Sequence, residues 1–267
     1  MTPPTLSACI EGIGLLGPGL SNWPSGEAIL NGQQPYQWQK TVLPLPAILP
    51  AAERRRSGAM VRLTLATGLE AIAASSLDAA TLTTVFSSSG GDGETCHAIC
   101  EMLASNDRLI SPTRFHNSVH NAASGYWSIA TGTMAPAAVL GAYDASFGAG
   151  LLEALTQVAV DGNRVVLLVC DTRYPEPLHS VRPMLDAFGI ALVLAPQAGP
   201  QARARINVSF SGAAADRCDD PALESLRTAV PAARGLPLLR AIALRQTATV
   251  VLDYLDPTRL AVAVTPC

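Results

Sequence analysis

A chain of 267 residues with 49% hydrophobic and only 15% charged residues reads as a well-buried globular protein, one large domain or two small ones. A chain of this length can bury about 75% of its unfolded surface. The formal net charge of −3 speaks against a broad electrostatic footprint for nucleic acid, and the one basic run, Arg54 to Arg56, is short enough to be a solvated helix start.

The opening MTPPTLSACIEG shows no basic-then-apolar leader, and no apolar run approaches the ~20 residues of a membrane span, so a cytoplasmic protein without a span is expected. A first strand is predicted over Leu6 to Ile13, breaking at Gly14, Gly17, Pro18 and Gly19. A short helix around Trp23 to Asn31 and a Pro-rich connector from Pro35 to Pro50 follow. One long helix is predicted from Ala51 to Ser76, with Val61, Leu65, Leu69 and Ile72 on one apolar face. Strand Leu82 to Ser88 ends at Gly90-Gly91, and a helix runs from Glu94 to Ala104. The segment Thr113 to Ile129 is polar and aromatic. A strand at Ala137 to Ala142 then enters a turn, and the helix that leaves it closes at Asp161-Gly162, where glycine supplies the left-handed residue. Arg164 to Cys170 and Ile190 to Ala195 read as buried strands. After a linker at Pro196 to Gln201 come a strand (Arg203 to Ser211), a helix (Ala222 to Ala229) and two strands (Thr247 to Tyr254, Arg259 to Val264). Strands alternating with helices give an α/β fold with a largely buried sheet.

Several local motifs carry little chemistry. Gly12-Ile13-Gly14-Leu15-Leu16-Gly17 fits a dinucleotide fingerprint, but Pro18-Gly19 continues the turn and no carboxylate follows at the required distance; a glycine turn is expected, and no cofactor. Ser146 follows a strand-to-helix turn, yet lacks the glycine two residues before it that a nucleophile elbow needs, since Asp144 stands there. Ser87, Ser88 and Ser89 precede Gly90-Gly91 without an identifiable base. His116 and His120, four apart, lack a third metal ligand and read as polar residues of a loop or interface. Cys96 and Cys100 would share one helix face without a second ligand pair, so no metal is expected.

An ordered set of residues resembles the N-terminal half of the ketoacyl synthases, the thiolase-fold condensing enzymes of fatty acid and polyketide synthesis. It comprises Ile10 to Gly19, the helix carrying Glu53-Arg54-Arg55-Arg56, and the strand and Ser-Gly loop from Phe86 to Gly91. An ungapped stretch from Ile110 to Asp144 adds Ser111-Pro112, Asn121, Gly125, Ile129, Gly132 and Pro136, and Glu153-Ala154 fits the helix behind it. The family's nucleophilic cysteine falls eight residues after the proline, which here is Asp144. The wording ISPTRFHNSVHNAASGYWSIATG is most similar to short synthase-like subunits of aryl polyene clusters, described as chain-length-factor-like partners of a true ketosynthase. The resemblance covers roughly residues 5 to 212. It departs at Asp144, in the short region from Val169 to Pro183, and in the lack of any histidine after His179, where the family carries a pair that promotes decarboxylation and holds the oxyanion.

The resemblance implies a thiolase-like α/β fold, with residues 1–200 as a ketoacyl synthase N-terminal-like domain and residues 201–267 as a short α/β remnant packed on it. It also implies an inactive subunit without a catalytic residue, in which Asp144 caps the following helix. The expected partner is an active ketosynthase in a heterodimer, with acyl carrier protein engaged indirectly. The strand before the elbow would meet the partner, so Ala137 and Val139, with Phe115, His116, Asn117, Val119, Asn121, Tyr126 and Trp127 from the preceding segment, are the expected interface and acyl-tunnel residues. Two alternatives stand beside this: an acyl-thioester hydrolase or transferase using Ser146 or a surface cysteine, and an acyl-binding homodimer.

Overall fold

The computed structural model describes residues 5–267. The first half runs β1 (Leu6–Leu16), α1 (Trp23–Leu30), α2 (Ala51–Arg56), α3 (Ala59–Ser75), β2 (Thr83–Ser87), α4 (Gly93–Ala104), α5 (Pro112–Asn117), α6 (Ala122–Thr131) and β3 (Ala137–Leu140). The second runs α7 (Ser146–Asp161), β4 (Val165–Asp171), α8 (Leu178–Val181), β5 (Phe188–Ala195), β6 (Ala204–Ser211), α9 (Pro221–Ala229), α10 (Leu236–Ala243), β7 (Ala248–Asp253) and β8 (Arg259–Pro266). The strands form one eight-stranded sheet in the order β3-β2-β4-β5-β1-β6-β8-β7. Only β3-β2-β4 pair in parallel; every other neighbouring pair is antiparallel.

The period-two alternation of β4 sorts the core into two faces. Val165, Leu167 and Val169 pack toward α7 through Leu151, Leu155 and Val158. Val166 and Leu168 pack on the opposite side with Val61 and Leu65 of α3 and Trp127 of α6. Both faces are covered near the middle of the sheet, which is why β4 and β5 are buried along their whole length.

Three expectations on local structure change. β1 continues past Ile13 to Leu16, because Gly12 and Gly14 stay in the strand instead of turning. Their role is close approach: a Cβ at Gly12 would sit 2.0 Å from the carbonyl oxygen of Ala71, and one at Gly14 1.9 Å from that of Thr67. The long helix is two, α2 and α3, broken at Ser57, whose extended backbone is accompanied by an Oγ–H bond back to Arg54 O at 2.7 Å. Finally, α10 forms in a stretch read without structure; seven of its eight residues are buried, Arg240 being the exception.

The C-terminal residues extend the sheet. β6 pairs antiparallel with β1 from Leu6↔Val208 to Ile10↔Ala204, so strand pairing crosses the expected boundary at residue 200. The two sheet edges differ. On β7, Val251 donates its N–H to Asp216 Oδ2 and accepts the Asp216 N–H, both at 2.8 Å, which partly closes that edge. β3 pairs only with β2, leaving its other side open. Among the described residues, no helix is long and apolar enough to cross a membrane.

Candidate functional site

β3 delivers the chain to a tight elbow. Gly141 and Ala142 lead into a 3-10 turn at Tyr143–Ala145, and α7 starts at Ser146. Tyr143 has φ 53, the left-handed region that non-glycine residues enter at a cost of order 1–3 kcal/mol. The Arg182 guanidinium lies 3.4 Å from the Tyr143 ring centroid, a cation–π contact that holds the strained residue from outside.

Asp144 does not cap α7, contrary to the sequence expectation. The 3-10 turn places Ala145 at the N-cap without a side-chain bond, and the carboxylate faces two arginines. Arg182 Nη2 donates to Oδ1 at 2.7 Å and Arg234 Nη2 lies 3.4 Å from Oδ2. The ion pairs continue inward: Arg234 to Asp253 at 3.4 Å, Arg227 to Asp253 at 2.6 Å, and Arg227 to Glu224 through two bonds of 2.8 Å. Three guanidiniums thus alternate with three carboxylates, and the chain of pairs deepens from the half-exposed Asp144 to Arg227, 8% exposed. Burial and the neighbouring Arg234 charge lower the pKa of Arg182; hydrogen bonding to Arg227 lowers that of Glu224.

The elbow's own hydrogen bonds are met by Ser146. Its hydroxyl donates to Tyr143 O at 2.8 Å and accepts the Ala142 N–H at 3.1 Å, and the residue is fully buried. A hydroxyl so enclosed cannot meet a substrate carbonyl, which removes Ser146 as the nucleophile of the alternative reading. The C-terminal segment closes the space in front: a Cβ on Gly235 would lie 2.3 Å from the Phe147 ring, and one on Gly148 2.6 Å from Asp253 O. Behind the elbow, buried Asp171 accepts the Ser89 N–H (2.8 Å), the Ser89 hydroxyl (2.7 Å) and the Ala232 N–H (2.8 Å). Burial outweighs these three bonds and pushes its carboxyl up to about 6.

The expected interface residues separate into two groups. Phe115 and His116 on α5, Val119 and Asn121 in the turn after it, and Ala137 on β3 are exposed, and Val139 is partly so. Tyr126 and Trp127 are instead buried in this chain's own core, a correction to their reading as surface anchors. Trp127 packs edge-to-face on Phe86 at 6.4 Å and covers Gly68 of α3. Asn117 is buried as well, donating to Arg56 O at 3.0 Å and accepting the Tyr126 hydroxyl at 3.2 Å. The signal was in the sequence: Ala123, Tyr126, Trp127 and Ala130 recur at helical spacing and share the α3 side of the sheet. Sequence reasoning also passed over exposed apolar residues flanking β3 and the elbow, notably Met134 (95% exposed), Tyr143 and Val181 (80%). His116 and His120 do not converge on a metal, and no group of three or more metal-ligating side chains occurs among the described residues.

The sequence matches the beta-ketoacyl synthase N-terminal domain family over residues 30–252. A search of curated proteins finds no match. Among solved structures, the chain is similar to one in the complex of the ketosynthase ApeO with its chain length factor ApeC from Xenorhabdus doucetiae (TM-score 0.74, 23% identity, 97% of this chain and 99% of that one). It is similar to a chain of the ishigamide ketosynthase/chain length factor (TM-score 0.71, 14% identity, 97% and 99%). It also resembles a chain of AntDE:AntF, a type II polyketide synthase acyl-carrier protein in complex with its hexaketide-bound ketosynthase (TM-score 0.71, 11% identity, 99% and 100%). With a family match over most of its length and a thiolase-like sheet from end to end, the chain belongs to the beta-ketoacyl synthase N-terminal domain family, with Asp144 in the elbow between β3 and α7.

Proposed function

We propose that this chain is a chain-length-factor-like subunit, non-catalytic in condensation, that pairs with an active β-ketoacyl synthase in the cytoplasm and shapes its acyl tunnel during aryl polyene or polyketide elongation. The observation that carries this is Asp144. Condensation needs a thiolate to hold the acyl chain as a thioester. The Asp144 carboxylate is taken up in ion pairs with Arg182 and Arg234, and an acyl group on it would be a labile mixed anhydride. The fold likeness to chains of ketosynthase/chain length factor complexes supports the reading, as do the open β3 edge and the exposed apolar Met134, Phe115 and Val119.

In this assembly β3 and the α5 surface face the ketosynthase, and acyl carrier protein is engaged through that partner. Co-expression with a thiol-bearing ketosynthase from the same organism tests it. A complex that extends carrier-bound acyl chains is expected where neither subunit does so alone, and elongation persists in Asp144→Ala. Elongation by the isolated chain, or its loss in a still-assembled Asp144→Ala complex, would overturn the proposal.

A further inference from the structure

A second polar pair lies away from the elbow, where the chain leaves β2. Ser88 is nearly buried; its N–H donates to Leu140 O at 3.2 Å, which fixes it beside β3. Its Oγ lies 3.2 Å from His120 Nε2 and accepts the Gly91 N–H at 2.7 Å. The serine triplet had no base within view in the sequence, because His120 comes 32 residues after Ser88 and is brought back by the turn after α5. The imidazole sits between two glycines. A Cβ at Gly91 (φ +64) would stand 2.9 Å from His120 Cδ2, and one at Gly141 3.5 Å from Cε1, so the ring fills a slot that larger residues would close.

Ser88 and His120 also line one cavity. Its volume is about 30 Å³, and Val61, Phe86, Val139 and Leu168 form its apolar wall. A void of that size takes a water or two, or an acyl group of about two carbons. A serine hydroxyl within hydrogen-bond reach of an imidazole is the arrangement that activates an oxygen nucleophile.

We propose that Ser88 and His120 form an acyl-transfer dyad acting on short acyl thioesters or activated esters. Ser88 Oγ bonds to the carbonyl carbon as its proton passes to His120 Nε2. The bond from that carbon to the leaving sulfur or oxygen breaks, and the leaving group departs with the electron pair and takes the proton. The acyl group remains as an ester on Ser88. A water then attacks this ester, giving its proton to His120, which returns it to Ser88 as the carboxylic acid leaves. The Gly91 N–H, bonded to Oγ, orients the hydroxyl for this attack. This activity is independent of the pairing with a ketosynthase, so either can fail without the other.

The test treats the isolated full chain with 4-nitrophenyl acetate, following nitrophenolate release and the intact mass. Release should exceed the buffer rate, with acetyl mapping to Ser88 by peptide sequencing. Ser88→Ala should abolish both, and His120→Gln should slow release about a hundredfold. The octanoyl ester should react at least tenfold more slowly than the acetyl ester, because its chain exceeds the cavity. Urea unfolding of each variant checks that it is folded; should Ser88→Ala not fold, the acetyl map on the native chain and the His120→Gln rate decide. Release at the buffer rate, release unchanged in His120→Gln, or acetyl found instead on Cys96, Cys100 or Cys267 would overturn the proposal.

Discussion

The elbow at residues 142–146 and the β3 edge that precedes it lie next to each other in sequence yet have opposite physical characters. At the elbow the backbone strain of Tyr143 is braced by Arg182, the hydroxyl of Ser146 is bonded twice, and Asp144 is the most exposed member of a six-residue chain of ion pairs. Just before it, one side of β3 has no strand beside it, and elsewhere in residues 112–140 Met134, Phe115 and Val119 present apolar surface to solvent. A site that keeps its chemistry leaves groups free for a substrate; here the elbow's groups are taken by the protein. The incomplete part of the molecule is the edge, which is where the proposed second subunit would pair.

The contrast can be broken or sharpened by substitution. The largest effect is expected at Trp127, which separates core from surface among the aromatic residues. Trp127→Ala should cost about 3–5 kcal/mol in urea unfolding of the isolated chain, as a fully buried ring is replaced by a cavity. A loss under 1 kcal/mol would place Trp127 back on the interface.

Next come the inner ion pairs. Arg227→Met should cost about 3 kcal/mol, because it leaves Asp253 and Glu224 without their shared cation. Asp144→Ala, at the half-exposed, outward member of the same chain of pairs, should cost no more than about 1 kcal/mol after solvent screening. Equal costs would mean that the network has no inner and outer end.

Asp171 gives a pH test of comparable size. Its folded pKa, about 6, exceeds the unfolded value near 3.8, so the folded state binds the extra proton between them. Its contribution is therefore most favourable below pH 4 and is lost as pH rises through 6, by about 3 kcal/mol in all. Measured by urea unfolding, the native chain's stability relative to Asp171→Asn should fall between pH 4 and pH 7. A relative stability that rises over that interval would show that the three donated hydrogen bonds outweigh burial. The smallest effect belongs to the open face: Phe115→Ala should leave the stability of the isolated chain within about 0.5 kcal/mol while weakening its hold on a ketosynthase.

How far the sequence carried these conclusions depended on how local each signal was. The elbow, α7 and its left-handed Gly162 were legible, since strand, turn, amphipathic helix and terminal glycine follow one another without interruption. The environment of Asp144 was not, because Arg182 and Arg234 reach it from distant turns and no local pattern announces an ion pair. That is why a helix cap was expected where a salt-bridged surface residue stands. The burial of Tyr126 and Trp127 was legible in principle, through the helical spacing with Ala123 and Ala130, but aromatic residues look the same in a core as in an interface until that phase is read. The pairing of Ser88 with His120 required the fold.

The pairing of this chain is the point on which its function turns, and native mass spectrometry of the chain mixed with a thiol-bearing ketosynthase from the same organism measures it directly. One species with one copy of each subunit is expected, and Val139→Lys on the open strand should abolish it while leaving this chain folded. A chain that remains alone or pairs only with itself in the presence of every such ketosynthase would contradict the proposed role.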